Sequence, residues 1–164
     1  MSMNHKASSF LVAQGAMIAA AYVVLTVAFA PFSFKEIQVR ISESLTILPM
    51  FTPAAVPGLA VGCLLANILG GAVLADIIFG SLATLIGAVG TRMLRGKNPV
   101  LAVIPPIVAN MLIVPFVLRY AYGVPLPIPL MMGTIGIGET VSCGILGLLL
   151  YKALYPHRKS IFKE

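Results

Sequence analysis

Residues 9–30 read SFLVAQGAMIAAAYVVLTVAFA, 22 positions without a charged side chain, and Pro31 follows. The hydrocarbon core of a bilayer takes about 20 mostly apolar residues of α-helix, so this stretch is read as a transmembrane helix. Lys6 ahead of it and AFAPF at its end imitate a secretory leader. The apolar run is longer than the roughly 7–15 residues of a leader core, and a proline directly after the cut is unfavourable. The rest of the chain has the same character. It has 164 residues, 59% of them hydrophobic and 10% charged, against about 45–50% and roughly 25% in soluble domains. Its mean hydropathy is +1.02. Such a chain lacks the polar residues to cover itself, which excludes a soluble domain.

Prolines and glycines divide the remainder into further helices, because proline interrupts the backbone ladder. The pattern predicts helices over about 9–30, 40–52, 54–71, 74–94, 99–122 and 128–154. Pro49 falls in the last turn of the second helix and Pro53 ends it. Pro57 suits the first turn of the third, Gly70 and Gly71 close that helix, and Pro105–Pro106 and Pro115 are expected to bend the fifth. The expected fold is an all-α integral membrane protein, one domain over residues 1–164 with six transmembrane helices. An even number of spans puts both termini on one side. Lys6, Arg92, Arg95, Lys97, Lys152, Arg158, Lys159 and Lys163 fall there against Glu164 alone. The other charges are Lys35, Arg40 and Arg119 against Glu36, Glu43, Asp76 and Glu139. Basic residues gather on the cytoplasmic side, so both termini are read as cytoplasmic. The formal net charge of +6 is thereby explained without nucleic acid.

The acids are in unexpected places. A charge at a helix centre costs about 2.5–3.5 kcal/mol on insertion scales, so such residues face an interior or a cavity. Glu139 lies about 16 Å from the outer end of the sixth helix at 1.5 Å per residue, near the midplane. Asn110 reaches a similar depth in the fifth helix. Asn67, Asp76, Arg40 and Glu43 are shallower, and together these residues outline an acidic pocket that opens outward. Each has a plainer reading. Arg40 and Glu43, three apart on a helix, pair with each other; Asp76 favours its helix N-terminus; Asn67 and Asn110 bond helix to helix. Arg119 beside Tyr120 reads as an interfacial anchor, Tyr122, Tyr151 and Tyr155 as aromatic-belt residues, and Lys35 and Glu36 as solvated loop residues. Cys63 and Cys143 read as buried small hydrophobes, and no metal site or cofactor is expected.

Small residues recur four apart on the first helix, Gly15 with Ala19 and Ala16 with Ala20, and on the sixth as Gly136, Thr140 and Gly144. Such faces let membrane helices approach closely. The chain has no phosphate-binding glycine loop with Lys-Ser/Thr, no H-E-x-x-H, no G-x-S-x-G, and no histidine outside its polar tails. It therefore carries no ATP site of that type and no catalytic residue is assigned.

AAYVVLTVAFAPFSFKEIQVRISESLTILPMF, AVPGLAVGCLLANILGG and LADIIFGSLATLIGA resemble the QueT family. The resemblance is strong over about residues 16–95 and rests on helix count and length elsewhere. It implies an S component of an energy-coupling-factor transporter: a six-helix protein that binds a vitamin-like molecule near the outer face of the bacterial plasma membrane. Such a protein docks on a membrane T component driven by two cytoplasmic ATPases and topples to release its cargo. An A-x-x-x-A face on the first helix serves the T component, and Ala16 and Ala20 match it. The implied cargo is a queuosine precursor such as aminomethyl-deazaguanine. Its guanine-like edge offers adjacent N–H donors to a carboxylate, its amine calls for a second acid, and Asn or Gln side chains suit its carbonyl and ring nitrogens. Glu139, Asp76, Glu43, Arg40, Asn67, Asn110 and Gln38 are the candidate contacts, with Glu139 or Asp76 on the base edge and Arg40 orienting Glu43. The competing readings are a self-sufficient carrier that couples protons through Glu139, and a membrane enzyme relying on carboxylates alone.

Overall fold

The computed structural model describes residues 2–29 and 40–162. Gln38, Lys35 and Glu36 lie outside the described residues. Helix α1 (Ser2–Ala28) begins in the polar residues ahead of the stretch quoted above. A 3₁₀ helix (Ile41–Met50) is followed by α2 (Ala55–Leu69), α3 (Leu74–Met93), α4 (Pro99–Ala102) and α5 (Ile104–Tyr120). The sixth predicted helix is α6 (Ile128–Glu139), a π-helical turn (Thr140–Leu146) and α7 (Gly147–Leu154). A short 3₁₀ turn (Tyr155–His157) and α8 (Arg158–Ile161) complete the chain's described residues, among which there is no strand.

Four of the described helical segments are long and apolar enough to cross a bilayer: Ser8–Ala28, Leu74–Met93, Pro99–Tyr120 and Ile128–Ile161. The other two predicted spans are shorter. Helix α2 has 15 residues, and the 3₁₀ helix has ten. The 3₁₀ rise of about 2.0 Å per residue stretches those ten residues to about 20 Å, where an α-helix would give about 15 Å.

That 3₁₀ helix is the axis of the molecule. Runs longer than three or four residues are uncommon, yet all of Ser42–Met50 is buried here. Its three-residue repeat sorts the side chains by neighbour. Ser42 meets Thr26 of α1, and Leu45 and Leu48 join the cluster of Ile18, Tyr22, Ala55 and Leu59. Ile47 and Met50 join Ala102, Val103 and Cys143. Glu43 and Pro49 face α3, where Thr84 bonds the Glu43 carboxylate and Arg92 bonds the Pro49 carbonyl. An α-helix, with 3.6 residues per turn, would rotate these sets off their partners.

Close helix crossings set the rest. A Cβ on Gly58 of α2 would lie 2.7 Å from the Gly15 carbonyl oxygen of α1, and one on Gly62 would lie 3.0 Å from Ala19 Cα. So the Gly15/Ala19 face of α1 is consumed inside the bundle, while Ala16 and Ala20 are exposed. The expected bend in the fifth helix is a break at Val103. Pro106 has no N–H to give the Ala102 carbonyl, and the Thr91 hydroxyl takes that carbonyl instead at 2.8 Å.

The two ends of the bundle differ in charge. Arg95, Lys97, Tyr155 and Arg158 converge at one end. The early part of α1 belongs there too, because Phe10 and Ala13 share a groove with Ile161 and Phe162. Arg40, Asp76 and Tyr122 lie at the other end.

Candidate functional site

The buried charged side chains among the described residues are Arg40, Glu43, Asp76 and Glu139. They come from three elements, with Arg40 just ahead of one of them, and form two tiers. The shallow tier is built around Asp76 in the first turn of α3. Arg40 stands just ahead of the 3₁₀ helix in an extended conformation, with φ −86° and ψ 101°. Its Nη2 lies 3.7 Å from Asp76 Oδ2. Tyr122 donates to the same oxygen at 3.0 Å and accepts from the Val73 amide at 3.4 Å. Burial first, and then the Asp76 charge, push the Tyr122 phenol above its ordinary range, which keeps it a donor. Asn67 of α2 donates to the Asp76 carbonyl at 3.2 Å. Gly80 leaves the space this needs, since a Cβ there would lie 2.8 Å from Asp76 Oδ1 and 3.2 Å from Asn67 Nδ2.

The deep tier joins Glu43 and Glu139. Glu43 Oε1 accepts from the Tyr22 hydroxyl and from Thr84 at 3.3 Å. Thr46 closes the turn on the Glu43 carbonyl at 2.6 Å. Glu139, the last residue of α6, accepts from Cys143 Sγ at 3.1 Å. One carboxylate oxygen from each glutamate and Cys143 Sγ all lie within 4.8 Å of one another. Asn110 of α5 stands near the Glu139 carboxylate, yet its Nδ2 stops short of hydrogen-bond geometry.

Several buried polar atoms have no partner among the described residues: Glu43 Oε2, Asp76 Oδ1, Asn67 Oδ1, Asn110 Nδ2 and Ser142 Oγ. Buried polar groups are nearly always hydrogen-bonded, to protein, water or ligand, so this cluster offers unused hydrogen-bonding capacity to a small polar molecule. Three of these five atoms are pure acceptors, and one is a pure donor. With one arginine against three acids among the described residues, the site is also formally short of positive charge. Its chemistry suits a molecule rich in N–H groups and carrying a cation.

The structure thus brings together Arg40, Glu43, Asn67, Asp76, Asn110 and Glu139. It corrects one expectation, because the Arg40 ion pair goes to Asp76 and not to Glu43. The i, i+3 rule requires both residues on one helix, and Arg40 stands ahead of it. The Asp76 carboxylate likewise turns toward Arg40 and Tyr122. Tyr22, Thr84, Tyr122 and Cys143 enter the network without having been singled out as contacts. Their signal is weak: Asp76, Gly80 and Thr84 recur four apart on α3, as do Tyr22 and Thr26 on α1 and Glu139 and Cys143 after it. Arg119 donates to the Val124 carbonyl at 3.1 Å and braces its own loop.

An all-helical apolar bundle around an acidic, unmatched interior defines a membrane transport protein. The QueT transporter family model matches residues 12–156, and the chain belongs to that family. It is a family of transporters, not of enzymes. No curated protein and no solved structure matches the chain.

Proposed function

We propose that this transporter is the substrate-binding S component of an energy-coupling-factor importer in the bacterial plasma membrane. In this reading it is one six-helix domain with cytoplasmic termini, and its cargo is a cationic deazapurine of the aminomethyl-deazaguanine type. The observation that carries the reading is the set of unmatched atoms. A guanine-like edge brings N–H donors for Glu43 Oε2, Asp76 Oδ1 or Asn67 Oδ1, and one carbonyl for Asn110 Nδ2. The ammonium supplies the missing positive charge, and the deep Glu43–Glu139 tier is its place. Charge-assisted hydrogen bonds of this kind are roughly twice as strong as neutral ones. Asp76, already matched by Arg40 and Tyr122, holds the outer end of the cargo.

The exposed Ala16 and Ala20 serve the T component, which works with two ATPases. Ala16 lines a groove of about 520 Å³ with the exposed Leu11, Val12 and Val61, and its small side chain lets a second helix approach closely.

The test is thermal unfolding of the purified chain across a panel of vitamins and deazapurines, because a ligand that binds only the folded state raises the midpoint by mass action. A rise with the aminomethyl compound, larger than with the neutral deazaguanine, is expected. A rise with an unrelated vitamin alone overturns the assignment of the cargo. Uptake by liposomes that hold only this chain, driven by a pH gradient, would favour the proton-coupled carrier instead.

A further inference from the structure

The opposite, basic end holds a second built feature, a cavity of about 310 Å³ between the turn after α3 and the C-terminal segment. Arg95, Lys97 and Arg158 line it, over a floor of Phe51, Tyr151 and Tyr155. The floor is rigid. The Phe51 and Tyr151 rings stack at 5.1 Å, and Tyr151 meets Tyr155 at 5.4 Å. Arg158 is fixed on top, with its guanidinium carbon 3.9 Å from the Tyr155 ring centre and Nη1 bonded to the Tyr155 carbonyl at 2.8 Å. A left-handed turn at Gly96, φ +83°, separates Arg95 from Lys97 on the rim.

Three cations therefore converge on one cavity. The helix ends on either side of the Arg95–Lys97 turn expose Met93 and Val100. An anionic head would enter the cavity while an apolar tail followed those side chains. We propose that this cavity holds the phosphate of an anionic phospholipid. Basic pockets between membrane helices on the cytoplasmic side are suited to such headgroups.

The experiment titrates the full chain in neutral detergent with phosphatidylglycerol, phosphatidylcholine or inorganic phosphate and follows the thermal midpoint. Phosphatidylglycerol is expected to raise the midpoint saturably, and phosphatidylcholine is expected to leave it in place. The K97Q/R158Q variant should need about 25-fold more phosphatidylglycerol, from about fivefold per basic residue at the surface. The K152Q/K159Q variant loses the same charge outside the cavity and should shift less than twofold. Arg95→Gln gives a second pocket variant, and deazaguanine binding checks that each variant is folded. Protection by inorganic phosphate at the same concentration keeps the phosphate site and moves its source from lipid to solute. Equal shifts in the two double variants, or no preference for phosphatidylglycerol, overturn the proposal.

Discussion

The two tiers of the polar cluster treat their acids differently. Asp76 has an arginine at 3.7 Å and a tyrosine hydroxyl at 3.0 Å on one oxygen. Glu43 and Glu139 sit deeper, bring carboxylate oxygens within 4.8 Å of each other, and among the described residues accept hydrogen bonds from the uncharged Tyr22, Thr84 and Cys143. A buried charge without a partner is costly, and a buried pair survives only with good geometry and further hydrogen bonds. The shallow tier meets that requirement for the Asp76 charge from within the chain, through Asp76 Oδ2, and keeps Asp76 Oδ1 and Asn67 Oδ1 open to the cargo's outer end. The deep tier is left for something brought from outside, so the first is read as framework and the second as the binding determinant.

Substitutions separate the tiers. Glu139→Gln keeps the shape and removes the charge; cargo affinity should fall roughly 100-fold, since truncating a buried charged contact costs about 2–5 kcal/mol, while the unfolding midpoint without cargo holds or rises. Equilibrium dialysis with labelled cargo measures it. Asp76→Asn should do the reverse: stability falls by about 3 kcal/mol, because the buried Arg40–Asp76 ion pair is broken, and affinity falls less than for Glu139→Gln. Adding Arg40→Gln should return part of that stability in a double-mutant cycle. Additive losses would mean that the pair is not coupled. Tyr22→Phe, which strips one donor from Glu43, should cost about 1–3 kcal/mol of stability and a smaller part of the affinity.

The smallest effect on binding is expected at the α1 surface. Ala16→Leu with Ala20→Leu should change stability by no more than about 0.5 kcal/mol and leave cargo binding intact, yet block co-purification with a T component. Gly58→Leu on the neighbouring face should destabilise by more than about 1–3 kcal/mol, because its side chain would enter the Gly15 backbone.

These contrasts also show what could be read in advance. Composition and span length made the apolar helical fold legible, and counting from helix ends put Glu139 and Asn110 at one level, where the structure has them as neighbours. The internal form of the second and sixth helices was not legible. A ten-residue 3₁₀ run depends on tertiary neighbours, and the π turn after Glu139 leaves no local mark in TVSCGIL. The Arg40–Asp76 pair was hidden because 36 positions separate the two residues and a nearer acid satisfied a local rule. Tyr22 and Thr84 were hidden because such residues are ordinary in membrane helices and gain meaning only from facing a carboxylate.

The central claim is that the deep acids hold a cationic cargo. Calorimetric titration of the purified chain, without ATP or any partner, with aminomethyl-deazaguanine tests it most directly. The account predicts saturable binding of one molecule per chain, weakened strongly by Glu43→Gln and by Glu139→Gln and less by Asp76→Asn. Undiminished binding in all three variants would contradict it.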